Sequence, residues 1–292
     1  MDIVITYVDG NDPVWQADYE KYTSVPVMQK RFRDWGTLKY LLRGIEVNMP
    51  FIDNVYLVVS HLSQVPQWVD QEKLRIVLHS DIIPEEYLPV FNSNPIELHL
   101  HNIEGLDEEY IYFNDDIFPV VPCKPDDFFR DGKGVLGFTR HWFAAGMYKK
   151  ICRNSDVLAR EAAGLKPSFS FLRPQHICTP MLRTECRKIY DAHKERILKT
   201  MTRTRTEGNL TQYLFLNYQF YKGRMIRERI SAQHCSVAIV SPEKLASYII
   251  NPQRNLLCIN DVKLSDSSYE ELRKVVHDAF TKVFPNKSRF ER

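Results

Sequence analysis

Four short apolar runs, each followed at once by polar residues, constrain the fold of this chain more than any other feature. The runs are rich in Val, Ile, Leu and Tyr and cover residues 3–8, 55–59, 74–78 and 110–113. Their length and their β-branched or aromatic content predict buried strands. Because open α/β sheets gather polar ligand groups beyond the carboxyl ends of their strands, the repeated pattern predicts a parallel sheet.

The segment between the first two runs has the spacing of an amphipathic helix. Its apolar residues stand at positions i, i+3, i+4 and i+7, and Asp34 lies where an N-terminal cap is expected. Strand, helix and strand in this order predict a βαβ opening unit. The four apolar residues are Leu38, Leu41, Leu42 and Ile45.

From about Cys152 onward the strand signal weakens and helical spacing becomes more frequent. The sequence contains no internal repeat, low-complexity tract or Gly/Ser linker that would require a domain boundary. We therefore expect a single domain over residues 1–292, with an α/β part in residues 1–150 and a helical part in residues 151–292. Two helices are predicted there, one from Leu210, Tyr213, Leu214 and Tyr218 behind Asn209, the other from Leu272, Val275, Val276 and Ala279.

Composition excludes several classes of protein. Lys and Arg number 39 against 37 Asp and Glu, so the net charge of +2 gives no bulk argument for nucleic-acid binding. The six cysteines form no Cys-x-x-Cys pair, which disfavours a zinc module or disulfide scaffold and favours buried thiols in a reducing compartment. With no signal-peptide pattern and no run of about eighteen apolar residues, we expect a cytoplasmic protein without a membrane span. Peripheral attachment to the inner membrane face stays open.

Asn114-Asp115-Asp116 follows the fourth apolar run and has the form of a divalent-cation site. Mg²⁺ prefers one or two protein carboxylates together with substrate oxygens and water. A pyrophosphate-bearing substrate needs such positive charge, because negative charge accumulates on its oxygens during displacement. The alternative is an Asx turn that only closes the strand.

The first apolar run leads into Asp9-Gly10-Asn11-Asp12-Pro13. Asp-Gly and Asp-Pro pairs favour turns without any ligand. At the end of the first strand of an α/β unit, however, backbone N–H groups and acids often meet a nucleotide. The motif is therefore either a plain turn or part of a nucleotide site.

Histidines occur at several suggestive places. His79 directly follows the third apolar run, and His176 lies in a loop-like segment beside Arg173 and Pro174, where an imidazole could serve as a general base or bind phosphate. His99 and His101 alternate with leucines, which favours a structural role on one face of a strand or helix.

Arginines precede two of the predicted helices. Arg203 and Arg205 stand shortly before the helix behind Asn209, and Arg31 and Arg33 stand before the first helix. Guanidinium groups together with helix N–H groups suit phosphate oxygens. The alternative in both places is a solvated basic turn or charged cap.

Taken together, these segments resemble the conserved regions of the Stealth family, the capsular polysaccharide phosphotransferases related to the catalytic subunit of the lysosomal-enzyme N-acetylglucosamine-1-phosphotransferase. Residues 2–13 resemble the first region, with Tyr7 and Asp9 in place of the usual Trp and Asn. The second region is the longest match and runs from Arg31 to Asp116. The third is represented by His176 and residues 203–209, and the fourth by residues 258–261 and 284–291.

The resemblance implies a GT-A-like, Rossmann-type fold in which residues 1–150 bind a nucleotide-sugar and residues 151–292 complete the active site. It also implies catalytic importance for Glu97, Asp116, His176 and Arg205, and it is almost the whole basis for Glu97. Asp115 and Asp116 are expected to hold Mg²⁺ or Mn²⁺. Nucleotide-sugar contacts are expected from Asp9, Gly10, Asn11, Asp12, Arg33, Asp34, His79, Asn92, Ser93 and Arg203.

The implied reaction transfers a hexose-1-phosphate, for example N-acetylhexosamine-1-phosphate, from a UDP-sugar to a hydroxyl of a glycan or lipid-linked oligosaccharide. UMP would be released, and either His176 or Asp116 would take the acceptor proton. Two alternatives are a GT-A glycosyltransferase that releases UDP and a non-catalytic glycan- or nucleotide-binding subunit. The identity of the released nucleotide separates these three hypotheses.

Overall fold

The computed structural model describes residues 1–27 and 32–292, and its β-strands lie between Asp2 and Asn260. The four apolar runs form β1 to β4, with ends displaced by no more than about two residues from the predicted bounds. In chain order the strands are β1 Asp2–Thr6, β2 Val55–Val59, β3 Arg75–Leu78, β4 Glu109–Asn114, β5 Ile117–Pro119, β6 Phe129–Arg130, β7 Lys133–Leu136, β8 Phe138–His141, β9 Phe171–Pro174, β10 Thr179–Leu182, β11 Met225–Arg227, β12 Ala232–Ser236 and β13 Leu256–Asn260.

The helices include those predicted from periodicity. Leu210 lies outside the helix it helped to predict, which starts only at Tyr213, whereas the predicted C-terminal helix buries Leu272, Val276 and Ala279. In chain order the helices are α1 Pro13–Tyr22, α2 Leu38–Asn48, α3 His79–Ile82, α4 Ser93–Glu97, α5 Gly146–Ala162, α6 Arg183–Lys199, α7 Tyr213–Tyr221, α8 Pro242–Ile250 and α9 Asp266–Val283.

Helix α2 buries all four of the apolar residues that predicted it, but its cap differs from the prediction. Thr37 is the N-cap residue and makes no side-chain capping hydrogen bond. Asp34 lies three residues earlier, where its Oδ1 accepts from the Gly36 N–H at 2.8 Å. The prediction that Asp34 caps the helix is therefore wrong, because the carboxylate closes a local Asx turn instead.

The central sheet has the strand order β10-β4-β1-β2-β3. Strands β1 to β4 are mutually parallel where they pair, and only β10 runs antiparallel, against β4. The predicted α/β class with a mostly parallel sheet is confirmed. Since parallel strands end at the same edge, the polar residues after β1, β2, β3 and β4 are brought together there.

Smaller sheets build the wall that faces this edge. In one of them β12 pairs in parallel with β13, and β13 pairs antiparallel with β5. The Ile259 N–H on β13 donates to the Asp116 carbonyl oxygen at 2.9 Å. The turn that carries Asp115 and Asp116 is thus attached to the central sheet on one side and to β13 on the other.

The second half of the chain combines helices α5 to α9 with the short strands β9 to β13. Its apolar residues pack with those of the first half in a common core, which contains Ile3, Phe113, Phe215 and Phe280 among others. The six cysteines are buried and free, as predicted. Within the described ranges, no helix has both the length and the apolar character that a bilayer crossing needs.

Helix α2 approaches β5 so closely that Gly44 has no room for a side chain. A Cβ at this position would come within 2.7 Å of the Pro119 carbonyl oxygen. That oxygen already accepts from the Asn48 side-chain amide at 2.9 Å. Helix α2 therefore supports the strand that directly follows the acidic turn.

Replacing Gly44 by Ala should lower the free energy of unfolding by roughly 1–2 kcal/mol, because overpacking outweighs the gain in helix propensity. The measurement is a denaturant titration monitored by circular dichroism. Gly208→Ala is the matched control, since no heavy atom lies within 4 Å of its Cβ position, and it should change the free energy by less than about 0.5 kcal/mol. Equal transitions for the two variants would contradict the close α2–β5 contact.

Candidate active site

The carboxyl edge of the central sheet borders a cleft of about 1020 Å³. Each parallel strand supplies a polar residue to its lining directly at or after the strand end. These residues are Tyr7 after β1, Ser60 after β2, His79 after β3 and Asn114 at the end of β4. For the second, third and fourth apolar runs, the polar residue that directly follows the run lines the cleft, whereas Tyr7 lies inside the predicted first run.

Asp115 and Asp116 form the turn between β4 and β5, and both line the cleft. Burial, the neighbouring Asp116 and the nearby Asp34 raise the pKa of Asp115 to about 8. Burial also raises the pKa of Asp116 to about 6, with a further contribution from the charge of Asp261. Asp115 is therefore protonated near pH 7 when no cation is bound, and neither acid takes part in an ion pair among the described residues.

The acidic corner fits a divalent cation. Asp116 Oδ1 is buried and has no hydrogen-bond partner in the described part of the chain. A bound cation would satisfy this oxygen and would lower the repulsion between the two carboxylates. The two acids do not belong to a group of three close His, Cys, Asp or Glu ligands, so substrate oxygens and water would have to complete the coordination of Mg²⁺ or Mn²⁺.

Glu97 is buried at the C-terminal end of α4 and also lines the cleft. Its Oε2 accepts from the Thr211 hydroxyl and from the Gln212 N–H, the latter at 3.4 Å. Thr211 and Gln212 immediately precede α7, so the carboxylate holds the start of this helix against α4. Its other oxygen, Oε1, accepts no hydrogen bond from the described residues.

Arg205 lines the cleft, and its guanidinium is held by neutral acceptors. Nη2 donates to the Ser93 hydroxyl at 2.7 Å, and Nε donates to Asn92 Oδ1 at 3.5 Å. Asn92 in turn donates to Asn209 Oδ1 at 2.9 Å, which ties the arginine loop to the N-terminus of α4. Because no carboxylate of the described chain pairs with Arg205, its positive charge is available to an anion in the cleft.

His176 lies in the loop between β9 and β10 and lines the cleft. Burial, the neighbouring His234 and the charges of Arg173 and Arg205 lower its pKa to about 4. The imidazole is therefore neutral near pH 7 and keeps a lone pair for a proton or a cation. His79 is also neutral, because burial lowers its pKa to about 3.

Arg33 and Asp34 line the cleft near its α9 side. The Arg33 guanidinium donates to both carboxylate oxygens of Asp261 at 3.4 Å and stacks over the Tyr269 ring, 4.4 Å from its centroid. Burial raises the pKa of Asp34. Arg33 is thus already paired with an acid, in contrast to Arg205.

Several residues predicted to bind the nucleotide-sugar do not line this cleft. Arg203 points to a different surface depression, where its guanidinium donates to the Leu88 carbonyl oxygen at 3.3 Å and lies over the Tyr22 ring. Spacing alone could not separate Arg203 from Arg205, since alternate residues of an extended loop point in opposite directions. Arg31 lies outside the described residues.

The loop after β1 has a structural explanation of its own. Asp12 caps α1 by accepting from the Trp15 N–H at 2.7 Å, and Asp9 accepts from the Asn11 N–H at 2.8 Å. Gly10 is required because a Cβ would lie 2.5 Å from the Phe32 carbonyl oxygen. None of the four residues 9–12 is among the lining residues of the cleft, so the plain-turn interpretation describes their geometry.

Other lining residues were missed by sequence reasoning. Arg229 and His234 reach the cleft from β11–β12, a region with no strand pattern in the sequence. Arg173 was noticed only as a neighbour of His176. The structural interpretation of His99 and His101 agrees with their burial, and neither histidine lines the cleft. The ring nitrogens of His99 lie at hydrogen-bond distance from the Pro95 carbonyl oxygen and the Tyr190 hydroxyl.

Comparison with solved structures finds a distant similarity. A galactosyltransferase, LgtC, in complex with donor and acceptor sugar analogs, superimposes with a TM-score of 0.47 and 12% sequence identity. The superposition covers 95% of this chain and 96% of that chain.

Sequence comparison finds much stronger similarity. The capsular polysaccharide phosphotransferase WcwK of Streptococcus pneumoniae is 31% identical over 336 aligned positions, covering 100% of this chain and 99% of that protein. The receptor polysaccharide phosphotransferase WefC of Streptococcus oralis is 47% identical over 140 residues, which span 45% of this chain and 42% of WefC. The sequence model of conserved region 2 of Stealth proteins matches residues 31–136. WcwK aligns with this chain along the whole length of both proteins, and a separate match covers the region that contains Asp115 and Asp116. This chain therefore belongs to the Stealth family of phosphotransferases and is a transferase.

Proposed function

We propose that this transferase moves a hexose-1-phosphate from a UDP-sugar to a hydroxyl of a glycan, forming a phosphodiester and releasing UMP. The observation that carries the proposal is one shared cleft that contains the Asp115/Asp116 corner, the unpaired Arg205 guanidinium and the neutral His176 imidazole. The relatives WcwK and WefC are named as polysaccharide phosphotransferases, which supports a sugar-polymer acceptor. The biological setting would be the assembly of capsule or another cell-surface polysaccharide.

In the proposed reaction the acceptor oxygen attacks the β-phosphorus of the donor. A new P–O bond forms to the acceptor, and the bond from this phosphorus to the bridging oxygen breaks, so that UMP leaves with the bonding electrons. His176 takes the acceptor proton, because its low pKa leaves the imidazole unprotonated in the free enzyme. A bound diphosphate places negative charge near the imidazole and would raise its basicity.

Two groups of opposite charge would hold the diphosphate. Asp115 and Asp116 are the residues to hold Mg²⁺ or Mn²⁺, which would neutralise charge on the diphosphate oxygens. The Arg205 guanidinium supplies positive charge from the α4 side, where Ser93 and Asn92 orient it. Glu97 Oε1 is available to accept from a hydroxyl of the donor sugar, while Oε2 stays bonded to Thr211.

The remaining lining residues are proposed to bind the rest of the donor. Asp34, His79, Asn92 and Ser93 present polar groups to the same cleft, and Arg33 is available if a phosphate competes with Asp261. Arg203 and residues 9–12 have no role in donor binding in this mechanism, because none of them lines the cleft.

The decisive experiment compares two arginines that are two residues apart. Arg205→Ala should lower the rate of UMP release from a UDP-sugar by about 100-fold or more, because it removes a positive charge from the transferring group. Arg203→Ala is the matched control and should change the rate less than about threefold. Release is measured by chromatography of the nucleotides, with a panel of UDP-sugars and with Mg²⁺ or Mn²⁺ present.

The same assay tests the other assignments. UDP in place of UMP would show glycosyl transfer and would refute phosphotransfer. A folded His176→Ala variant with near-normal turnover would remove His176 from the role of base. Equal losses for Arg203→Ala and Arg205→Ala would contradict the assignment of the anion site to one face of this loop.

Replacing Asp115 by Asn should stabilise the metal-free protein. Folding raises the pKa of Asp115 from its ordinary 3.8 to about 8, so between these values the folded protein keeps a proton that the unfolded chain has lost. The resulting penalty in the wild type grows with pH, and the gain in melting temperature should therefore increase from pH 4 to pH 8. Thermal unfolding in a chelating buffer measures it.

Asp278→Asn, an exposed change on α9, is the control and should leave the melting temperature unchanged at both pH values. Saturating Mn²⁺ at pH 8 should raise the melting temperature of the wild type but not that of Asp115→Asn. A pH-independent difference between wild type and Asp115→Asn would contradict the electrostatic description of the acidic corner.

We further propose peripheral membrane association through the β8–β9 edge, which suits a lipid-linked acceptor. Trp142 and Phe143 follow β8 and Phe169 precedes β9, with exposures of 62%, 83% and 89%. The antiparallel register places the two segments at the same end of the paired strands β8 and β9. Thr139 and Tyr148, on either side of Trp142 in the chain, line the cleft, and exposed Arg140 and Lys166 add positive charge.

The protein should sediment with vesicles that contain phosphatidylglycerol, and exchange of Trp142, Phe143 and Phe169 for Ser should weaken this binding at least tenfold. The physical reason is the loss of aromatic side chains that enter the interface. Ile239→Ser is the control, because Ile239 is 86% exposed but lies away from this edge in the β12–α8 turn. Wild-type binding no greater than that of the triple variant would contradict the proposal.

A further inference from the structure

A group of three nitrogen and sulfur ligands lies beside the acidic corner. His176, His234 and Cys258 each offer one ligand atom, and these atoms all lie within 4.8 Å of one another. They come from three separate segments, namely the β9–β10 loop, β12 and β13. Folding therefore brings together three residues that lie far apart in the sequence.

The strand register holds two of these ligands together. Strands β12 and β13 are parallel, and His234 is paired directly with Cys258. Paired residues on neighbouring strands project from the same face of a sheet. The His176 ring then approaches from the facing loop, with its centroid 5.6 Å from that of His234.

Asp116 does not belong to this group, but its carboxylate lies next to one member, Cys258. Asp116 Oδ2 lies 3.8 Å from the Cys258 sulfur. The other carboxylate oxygen, Oδ1, is buried and accepts no hydrogen bond from the described residues. If the Asp116 carboxylate turns toward the imidazoles, two imidazoles, a thiolate and a carboxylate would supply four ligands, the number that Zn²⁺ takes in tetrahedral sites.

The ligand chemistry differs from that of the Asp115/Asp116 corner. Imidazole and thiolate suit Zn²⁺ and Co²⁺, whereas Mg²⁺ selects oxygen ligands. His176 and His234 line the cleft, so a cation from solvent reaches the group through the two imidazoles before it meets the buried sulfur. Small side-chain movements would bring the ligand atoms to the Zn–N and Zn–S distances of about 2.0 and 2.3 Å.

We propose that His176, His234 and Cys258, with Asp116 as fourth ligand, bind Zn²⁺ at a site separate from the Mg²⁺ or Mn²⁺ position. Binding forms a Zn–S bond, and the thiol proton of Cys258 passes to water. The site uses the lone pair of His176 and one oxygen of Asp116. If the proposed function holds, Zn²⁺ at this site inhibits transfer, because it occupies the proposed base and competes for a shared carboxylate.

The test of binding uses Co²⁺ with the metal-free, full-length protein. One equivalent should give the strong visible bands of tetrahedral Co²⁺ and a near-ultraviolet thiolate-to-cobalt band, and one equivalent of Zn²⁺ should abolish both. Cys258→Ser should lose the thiolate band, and His234→Ala should weaken Co²⁺ binding at least tenfold. Cys186→Ser is the matched control, because Cys186 is a buried free thiol on α6 away from the group, and it should retain the full spectrum.

Circular dichroism of each variant establishes that it is folded. Weak, octahedral Co²⁺ bands in the wild type, or a thiolate band that survives in folded Cys258→Ser, would overturn the site. Inhibition is tested separately by the concentration of Zn²⁺ that halves UMP release, which should rise at least tenfold in His234→Ala relative to its own zinc-free rate. If no UDP-sugar yields UMP, the proposed function fails, while the Co²⁺ titration still decides the site.

Discussion

The structure depends most on two carboxylates held side by side at the end of a buried parallel strand. The backbone of Asp116 is attached to β13, and β5 beyond it is supported by α2, so the turn that carries both acids is held in place from two sides. Burial raises the pKa of both acids, with a further rise from the charge of Asp116 at Asp115 and from that of Asp261 at Asp116, which makes the metal-free corner unfavourable to stability. Such a cost is common where a fold is arranged to bind charge.

Positive charge across the cleft is arranged in the complementary way. Arg205 is oriented by a hydroxyl and an amide, which fix its direction without cancelling its charge. Arg33, by contrast, is paired with Asp261 and stacks over Tyr269, so it adds little net positive charge to the cleft. The cleft therefore has an acidic side that attracts a cation and a basic side that attracts an anion. A metal-bound diphosphate matches both at once.

The sequence predicted the sheet and its polar edge well, because both depend on local patterns. Apolar runs identify β1 to β4, and the residues just after them must meet at one edge once the strands are parallel. The wall with β12 and β13 was not predictable, since His234 and Cys258 become neighbours only through pairing between distant strands. Arg203 and Arg205 could not be distinguished, because the direction of a loop side chain depends on tertiary contacts. Glu97 was found only through family resemblance, since its partner Thr211 is far away in the sequence.

Asp116 would be a ligand in both of the proposed metal sites. Its backbone belongs to the turn with Asp115, whereas one side-chain oxygen lies beside Cys258. An oxygen-seeking cation needs both acids ionised, and a sulfur-seeking cation needs the Cys258 thiol to lose its proton. If both sites bind their cations as proposed, the two cations compete for one carboxylate, so occupation of either site weakens the other by charge repulsion as well as by loss of a ligand. The enzyme's response to one metal then depends on the concentration of the other, through a single residue at the end of β4.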